Sequence, residues 1–224
     1  MNQIPGSKPN YTSQIVIIGI LFFIFGFVTW LNSTLIPYLQ IACQLETSQA
    51  VLVTFAFYIS YAVMAFPSSW VLNKTGFKKG MMWGLICMAI GALIFIPAAH
   101  TRTYGLFLTG LFVIGTGLAL LQTASNPYIT ILGPIESAAK RISVMGICNK
   151  GAGALAPLIM GAFLLKNSDE IVNRLKTLDG AQKAAELNAL ASRVVVPYII
   201  IAAVVFALSV FIYCVNLTEV KAEG

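Results

Sequence analysis

The chain alternates between long apolar runs and short polar knots. Predominantly apolar runs cover 13–40, 47–73, 79–99, 103–131, 139–166 and 194–217. A helix of roughly 20 such residues crosses the ~30 Å hydrocarbon core of a bilayer. The apolar positions are continuous rather than alternating, which is not the pattern of a membrane barrel. The pattern therefore predicts six transmembrane helices, the first interrupted near Asn32 to Pro37. The segment 167–193 departs from it. It is polar, helix-favouring and charge-balanced, with a capped start at Asn167 to Glu170 and a break at Asp179-Gly180. One or two surface helices are expected there, serving as a solvated connector rather than a binding element.

The same pattern repeats internally. "LIPYLQI" (Leu35 to Ile41) resembles "SNPYITI" (Ser125 to Ile131), pairing Pro37 with Pro127, Tyr38 with Tyr128 and Ile41 with Ile131 at an offset of 90. That offset also takes Asn32 to Gln122 and Pro67 to Pro157. Helix 1 then matches helix 4, and helix 2 matches helix 5. An offset of three spans, an odd number, reverses direction, so the expectation is a 3+3 inverted repeat, as in transporter folds.

Composition fixes the class. The chain is 58% hydrophobic and 10% charged, with mean hydropathy +0.85. Soluble domains are about 45–50% apolar and about 25% charged. The fold class is therefore an all-α membrane protein. "MNQIPGSKPN" is polar, and the run after it is too long for a signal-peptide core and lacks a small-residue cleavage site. Residues 1–12 read as an exposed tail before a retained first span.

The net charge of +6 follows topology rather than a nucleic-acid partner. Lys8, Lys74, Lys78, Lys79, Lys140, Arg141 and Lys221 fall on one side, while the opposite short loops hold only Arg102. Both termini are thus expected in the cytoplasm, with 167–193 on the outer face. Cys43, Cys87, Cys148 and Cys214 are scattered singly and read as small hydrophobes. His100 has no His/Cys/acid cluster beside it, so no metal site and no cofactor is expected. No nucleophile–base set or HExxH appears, so an enzyme is not expected.

A polar side chain in lipid is costly and marks the bundle interior or a watery cavity. Candidates are Asn32 and Ser33 in helix 1, Gln122 and Asn126 in helix 4, and Asn149 and Lys150 in helix 5. Amides both donate to and accept from sugar hydroxyls. Trp30, Tyr38, Tyr58, Tyr61 and Tyr128 offer flat apolar faces for a pyranose. The competing reading of the amides is interhelical hydrogen bonding, and of the aromatics core packing. Asn126 also precedes Pro127, where it can restore backbone bonds freed by the proline. Gly115, Gly117, Gly151, Gly153 and Gly161 permit close helix approach. Lys150 lies about three turns, or ~15 Å, beyond Lys140. A snorkelling lysine, a functional charge and a charge pair with another domain all fit it.

Several stretches together resemble the sugar symporters of the major facilitator superfamily. They are "FFIFGFVTWLNSTLIPYLQ", "NKTGFKKG", and "LLQTASNPYITILGP" followed by "AAKRISVMGICNKGAG". The chain is most similar to the fucose/proton symporter family, which includes bacterial glucose/galactose transporters. The resemblance covers roughly 14–217. It implies twelve helices in two halves, of which this chain matches the N-terminal half, with 218–224 opening the inter-domain linker and the C-terminal half absent.

It also implies import of a hexose such as glucose, galactose or fucose across the inner membrane by alternating access, as cation symport coupled to Na+ or H+. Gln122 and Asn149 would then face the central cavity, with Asn32, Ser33, Asn126 and Tyr61 as further substrate contacts. Membrane lipid and the C-terminal half would be the partners.

The superfamily's helix 2–3 loop, roughly G-x-x-x-D-R-x-G-R-[KR], keeps Gly76 and the basic Lys74, Lys78 and Lys79 here, but carries Ser69 and Asn73 for its glycine and aspartate. A gating role for Asn73, Gly76 and the three lysines, as for Pro127 and Lys150, is implied by the resemblance. Simple anchoring explains the lysines equally well. The fucose proteins carry a glutamate where this chain has Gln122, and an aspartate at or beside Asn32-Ser33. No Asp or Glu lies within the six predicted spans. Coupling would then use sodium, reside in the other half, or be absent. Transport of another small polar solute, and a truncated membrane protein without transport, are the alternatives.

Overall fold

In the computed structural model, residues 11–215 and 217 are described. Most of the expected tail 1–12 and all of 218–224 lie outside them. Seven α-helices follow in order: α1 Thr12–Ala42, α2 Thr47–Thr101, α3 Tyr104–Ile131, α4 Ala138–Leu164, α5 Ser168–Leu175, α6 Gly180–Ser192 and α7 Val195–Cys214. A 3-10 turn, Ile135–Ser137, precedes α4. There is no strand among the described residues.

Five helical stretches, those containing α1, α2, α3, α4 and α7, are long and apolar enough to cross a membrane. The expected count was six, and α2 accounts for the difference. Its 55 residues would extend about 80 Å if straight, far beyond a ~30 Å core. The backbone leaves the helix at Gly76 alone (φ 79, ψ 170). The arm before Gly76 runs parallel to α3: Tyr104 Oη donates to the Gln49 carbonyl, and Gly115 abuts Phe57 and Ser60. The arm after it runs antiparallel to α3, with Gly84 against Gly117 and Gly91 against Gly110. So α2 is a helical hairpin folded at one residue. The sequence placed a loop over 74–78; only Gly76 is spent on the reversal.

The internal repeat reappears in the packing. Gly26 of α1 lies against the Asn149 backbone of α4. Shifted by 90 positions, that pair becomes Thr116 and Ile59. One residue away on each side, Gly115 of α3 lies against Ser60 of α2. Both crossings are parallel and both need a glycine, because a Cβ there would overlap backbone.

The remaining elements close the bundle. α7 packs on the second arm of α2, with Phe95 and Tyr198 stacked at 3.8 Å and Ser209 Oγ donating to the Met82 carbonyl at 3.1 Å. α5 and α6 bury Ile171, Leu175, Leu187 and Leu190 and are joined by the Arg174–Glu186 ion pair at 2.9 Å. The fully buried Tyr38 donates to the Leu190 and Ala191 carbonyls at 2.9 and 2.8 Å. It thereby ties the last turn of α6 to α1. Large apolar side chains such as Phe66 (87% exposed) remain on the bundle's outside, as expected where lipid or another protein surface replaces water.

Candidate functional site

Polar side chains converge between the first arm of α2 and α3. Gln122 is half-buried, and its Nε2 donates to the Tyr61 hydroxyl at 3.2 Å. The Tyr61 hydroxyl also faces the Thr29 side chain of α1, whose Oγ1 donates to the Phe25 carbonyl at 2.7 Å. Three helices thus meet around one hydroxyl. Beside this relay is a cavity of about 320 Å3, lined by Tyr61, Met64, Gln122, Thr123, Asn126 and Pro127 among others. Asn126 and Pro127 are exposed at it. All its polar groups are neutral amides and hydroxyls, the chemistry that exchanges hydrogen bonds with a polyol.

Pro127 sits inside α3 and lacks the N–H that would bond back to Thr123. Thr123 Oγ1 and Thr130 Oγ1 instead bond back to the Ala119 and Asn126 carbonyls, at 2.8 and 3.1 Å. The helix continues through the proline, and Gln122 and Asn126, one turn apart, share a face.

The other predicted residues lie elsewhere. Asn149, on α4, is half-buried against α1 and its Nδ2 reaches the Phe22 carbonyl at 3.4 Å. Asn32 is only 6% exposed and points its Nδ2 into the bundle with no partner among the described protein atoms. Ser33 beside it is exposed and donates to the Trp30 carbonyl at 2.7 Å. Lys150 is exposed, its Nζ 5.5 Å from the centre of the Trp30 ring. At the α2 reversal, Asn73, Lys74 and Lys79 are exposed and Lys78 is half-buried. Lys74 Nζ lies 3.8 Å over Trp70. None of these lysines is in an ion pair among the described residues, where Arg174–Glu186 is the only one.

Two residues gained a place that sequence reasoning did not give them. Thr29 carried no signal beyond being polar in a span. Arg141 read only as a topological charge, yet it is 6% exposed. Its guanidinium donates to the Ile129, Thr130 and Pro134 carbonyls at 2.9–3.0 Å and to Ser137 Oγ. The first two carbonyls belong to the last turn of α3, where a cation offsets the helix dipole. The available signal was an arginine a few residues past a helix ending in Gly-Pro. Outside the spans, burial pushes the Cys43 thiol up, against the opposing effect of Arg102.

The family model described as Major Facilitator Superfamily matches residues 18–222. The glucose/galactose transporter of Brucella abortus is 37% identical over 208 residues, covering 90% of this chain and 47% of that protein. The L-fucose-proton symporter of Escherichia coli is 31% identical over 223 residues, covering 98% of this chain and 50% of that one. A crystal structure of a variant of the E. coli fucose:proton symporter superposes with a TM-score of 0.79 at 31% identity, over 93% of this chain and 50% of that chain. The chain spans about half the length of the relatives it matches.

Proposed function

This chain belongs to the major facilitator superfamily, and from that premise we propose that it forms the N-terminal six-span half of a secondary transporter. That transporter moves a hexose such as glucose, galactose or fucose across the cell inner membrane by alternating access, as cation symport. The reading is carried by the Gln122–Tyr61 pair at the α2–α3 cavity. It places a neutral amide where a polyol can exchange hydrogen bonds. The relatives' names, glucose/galactose transporter and L-fucose-proton symporter, supply the substrate class. Asn126, Asn149 and Ser33 extend the contacts, and Tyr61 holds Gln122 in place.

In this reading the α2 reversal and Lys140 face the cytoplasm with both termini, while α5 and α6 lie outside. A C-terminal half supplies the opposite wall and lipid covers the rest. The spans carry no carboxylate among the described residues, so the coupling ion is sodium, or a proton carried by the other half. The test is uptake of labelled glucose, galactose and fucose by the complete transporter carrying this half, with sodium and pH varied. Gln122→Ala should depress uptake by about 5- to 150-fold with membrane levels kept, since losing a paired polar contact to substrate is worth about 1–3 kcal/mol. Normal uptake in that variant would remove Gln122 from the site.

A further inference from the structure

Lys150 is not used by the cavity described above, and its position is hard to reconcile with simple anchoring. It lies 12 residues into the 27-residue α4, about 18 Å along the axis and close to the helix midpoint. A lysine near a span's end snorkels to the headgroups. From the midpoint the four-carbon stem reaches neither surface. Among the described residues it is the one formal charge more than a turn away from an end, or from the Gly76 break, of a long helix. Such a charge faces a watery cavity and needs a counter-charge.

Among the described residues, no Asp or Glu lies within α1, α2, α3, α4 or α7, and Lys150 is in no ion pair. What it has is Trp30. The indole is 44% exposed and fixed against Gly153, where a Cβ would come within 2.6 Å of the ring. The ammonium sits 5.5 Å from the ring centre, within cation–π range. The helix face carrying Lys150 also holds the exposed Ser143, Gly146 and Ala154 at spacings of three and four, with open space around Gly146. Ile147, one turn before Lys150, and Leu158, two turns after it, flank the same face at 72% and 71% exposure. An ammonium set among small, polar and apolar side chains is the mixed lining of a ligand cavity.

We propose that Lys150, held at the open face by Trp30, is a subsite for the carboxylate of an acidic sugar, so that the transporter takes hexuronates besides, or in preference to, neutral hexoses. The inference rests on the sugar-transport reading. An ammonium facing an aromatic ring gains a charge-assisted pair when a carboxylate arrives, and a neutral hexose offers nothing equivalent.

The test uses the complete transporter carrying this half, in proteoliposomes. It measures uptake of labelled glucuronate and galacturonate against glucose and galactose, with acetate as a competitor. The expected result is saturable hexuronate uptake that acetate does not inhibit. The hexuronate-to-hexose ratio of kcat/KM should fall about tenfold or more in Lys150→Gln and be largely kept in Lys150→Arg. Hexose uptake without hexuronate uptake or competition overturns the subsite and leaves the transport reading standing. Failure of both sugar classes overturns both. Loss of all uptake in Lys150→Gln and Lys150→Arg alike, with normal membrane levels, also overturns it, because it assigns the charge to a carboxylate of the other half. Inhibition by acetate equal to that by hexuronates reduces the site to a generic anion contact and overturns it too.

Discussion

Gly26 and Asn149 meet so closely that a Cβ on the glycine would overlap the asparagine's carbonyl oxygen. This is the point where α1 and α4 cross, and the second copy of the crossing is Gly115 against Ser60. A bundle built as a repeat needs both crossings tight, because each brings polar side chains from two helices to one level.

The close approach predicts a sharp difference between two glycines of one helix. Gly26→Ala forces the backbones apart and should destabilise the fold by about 1–3 kcal/mol. Gly19→Ala places its methyl 3.7 Å from Met145 Cε and 3.8 Å from Cys148 Sγ, in ordinary contact. It should be neutral or slightly stabilising, since alanine is favoured over glycine in a helix by up to ~1 kcal/mol. Thermal unfolding in detergent followed by circular dichroism separates the two. Equal melting of both variants with the wild type would disprove the crossing.

The spans were legible because each run of apolar residues is long enough to decide the class by itself, and the repeat was legible because proline and tyrosine recur at one offset. Rotation about a helix axis was not legible. Asn32 and Ser33 are adjacent and both polar, so the sequence ranks them together. They are about 100° apart on the helix, and the structure buries the first and exposes the second. Tyr38 and Tyr128 match in the repeat yet hold different partners: the α6 carbonyls for one, and Gln14 Oε1 at 2.8 Å for the other. The repeat constrains the helix, and the flanking segments choose the contact. Arg141 was missed because an arginine at a span's edge satisfies the topology rule whether it faces water or caps a neighbouring helix.

Arg141 predicts a fork-specific dependence. Its guanidinium serves three carbonyls and a hydroxyl from a buried position. Lysine keeps the charge but not the planar fork. Arg141→Lys should therefore cost on the order of 2–4 kcal/mol, since buried carbonyls lose charged donors, and Arg141→Gln at least as much. Chemical unfolding of the purified proteins measures it. Should Arg141→Lys unfold at the wild-type midpoint, the residue is a topological charge after all.

Gly76 predicts a cost that comes from backbone conformation alone. It holds φ at 79 and ψ at 170, with no atom near a would-be Cβ. Side chains with a Cβ avoid this region, at roughly 1–3 kcal/mol. Gly146 also has open space around it but lies in regular helix. If crowding governed tolerance, alanine would be accepted equally at both positions. If the reversal depends on left-handed backbone, Gly76→Ala lowers the melting temperature while Gly146→Ala does not. Asn tolerates the αL region, but a ψ of 170 lies outside it in backbone space that is essentially glycine's alone, so Gly76→Asn should melt as low as Gly76→Ala. That ranking, Gly above Asn and Ala alike, tests whether one residue supports the hairpin of α2. A melting temperature insensitive to all three residues would show that the arms are held apart by α3 packing and need no special turn.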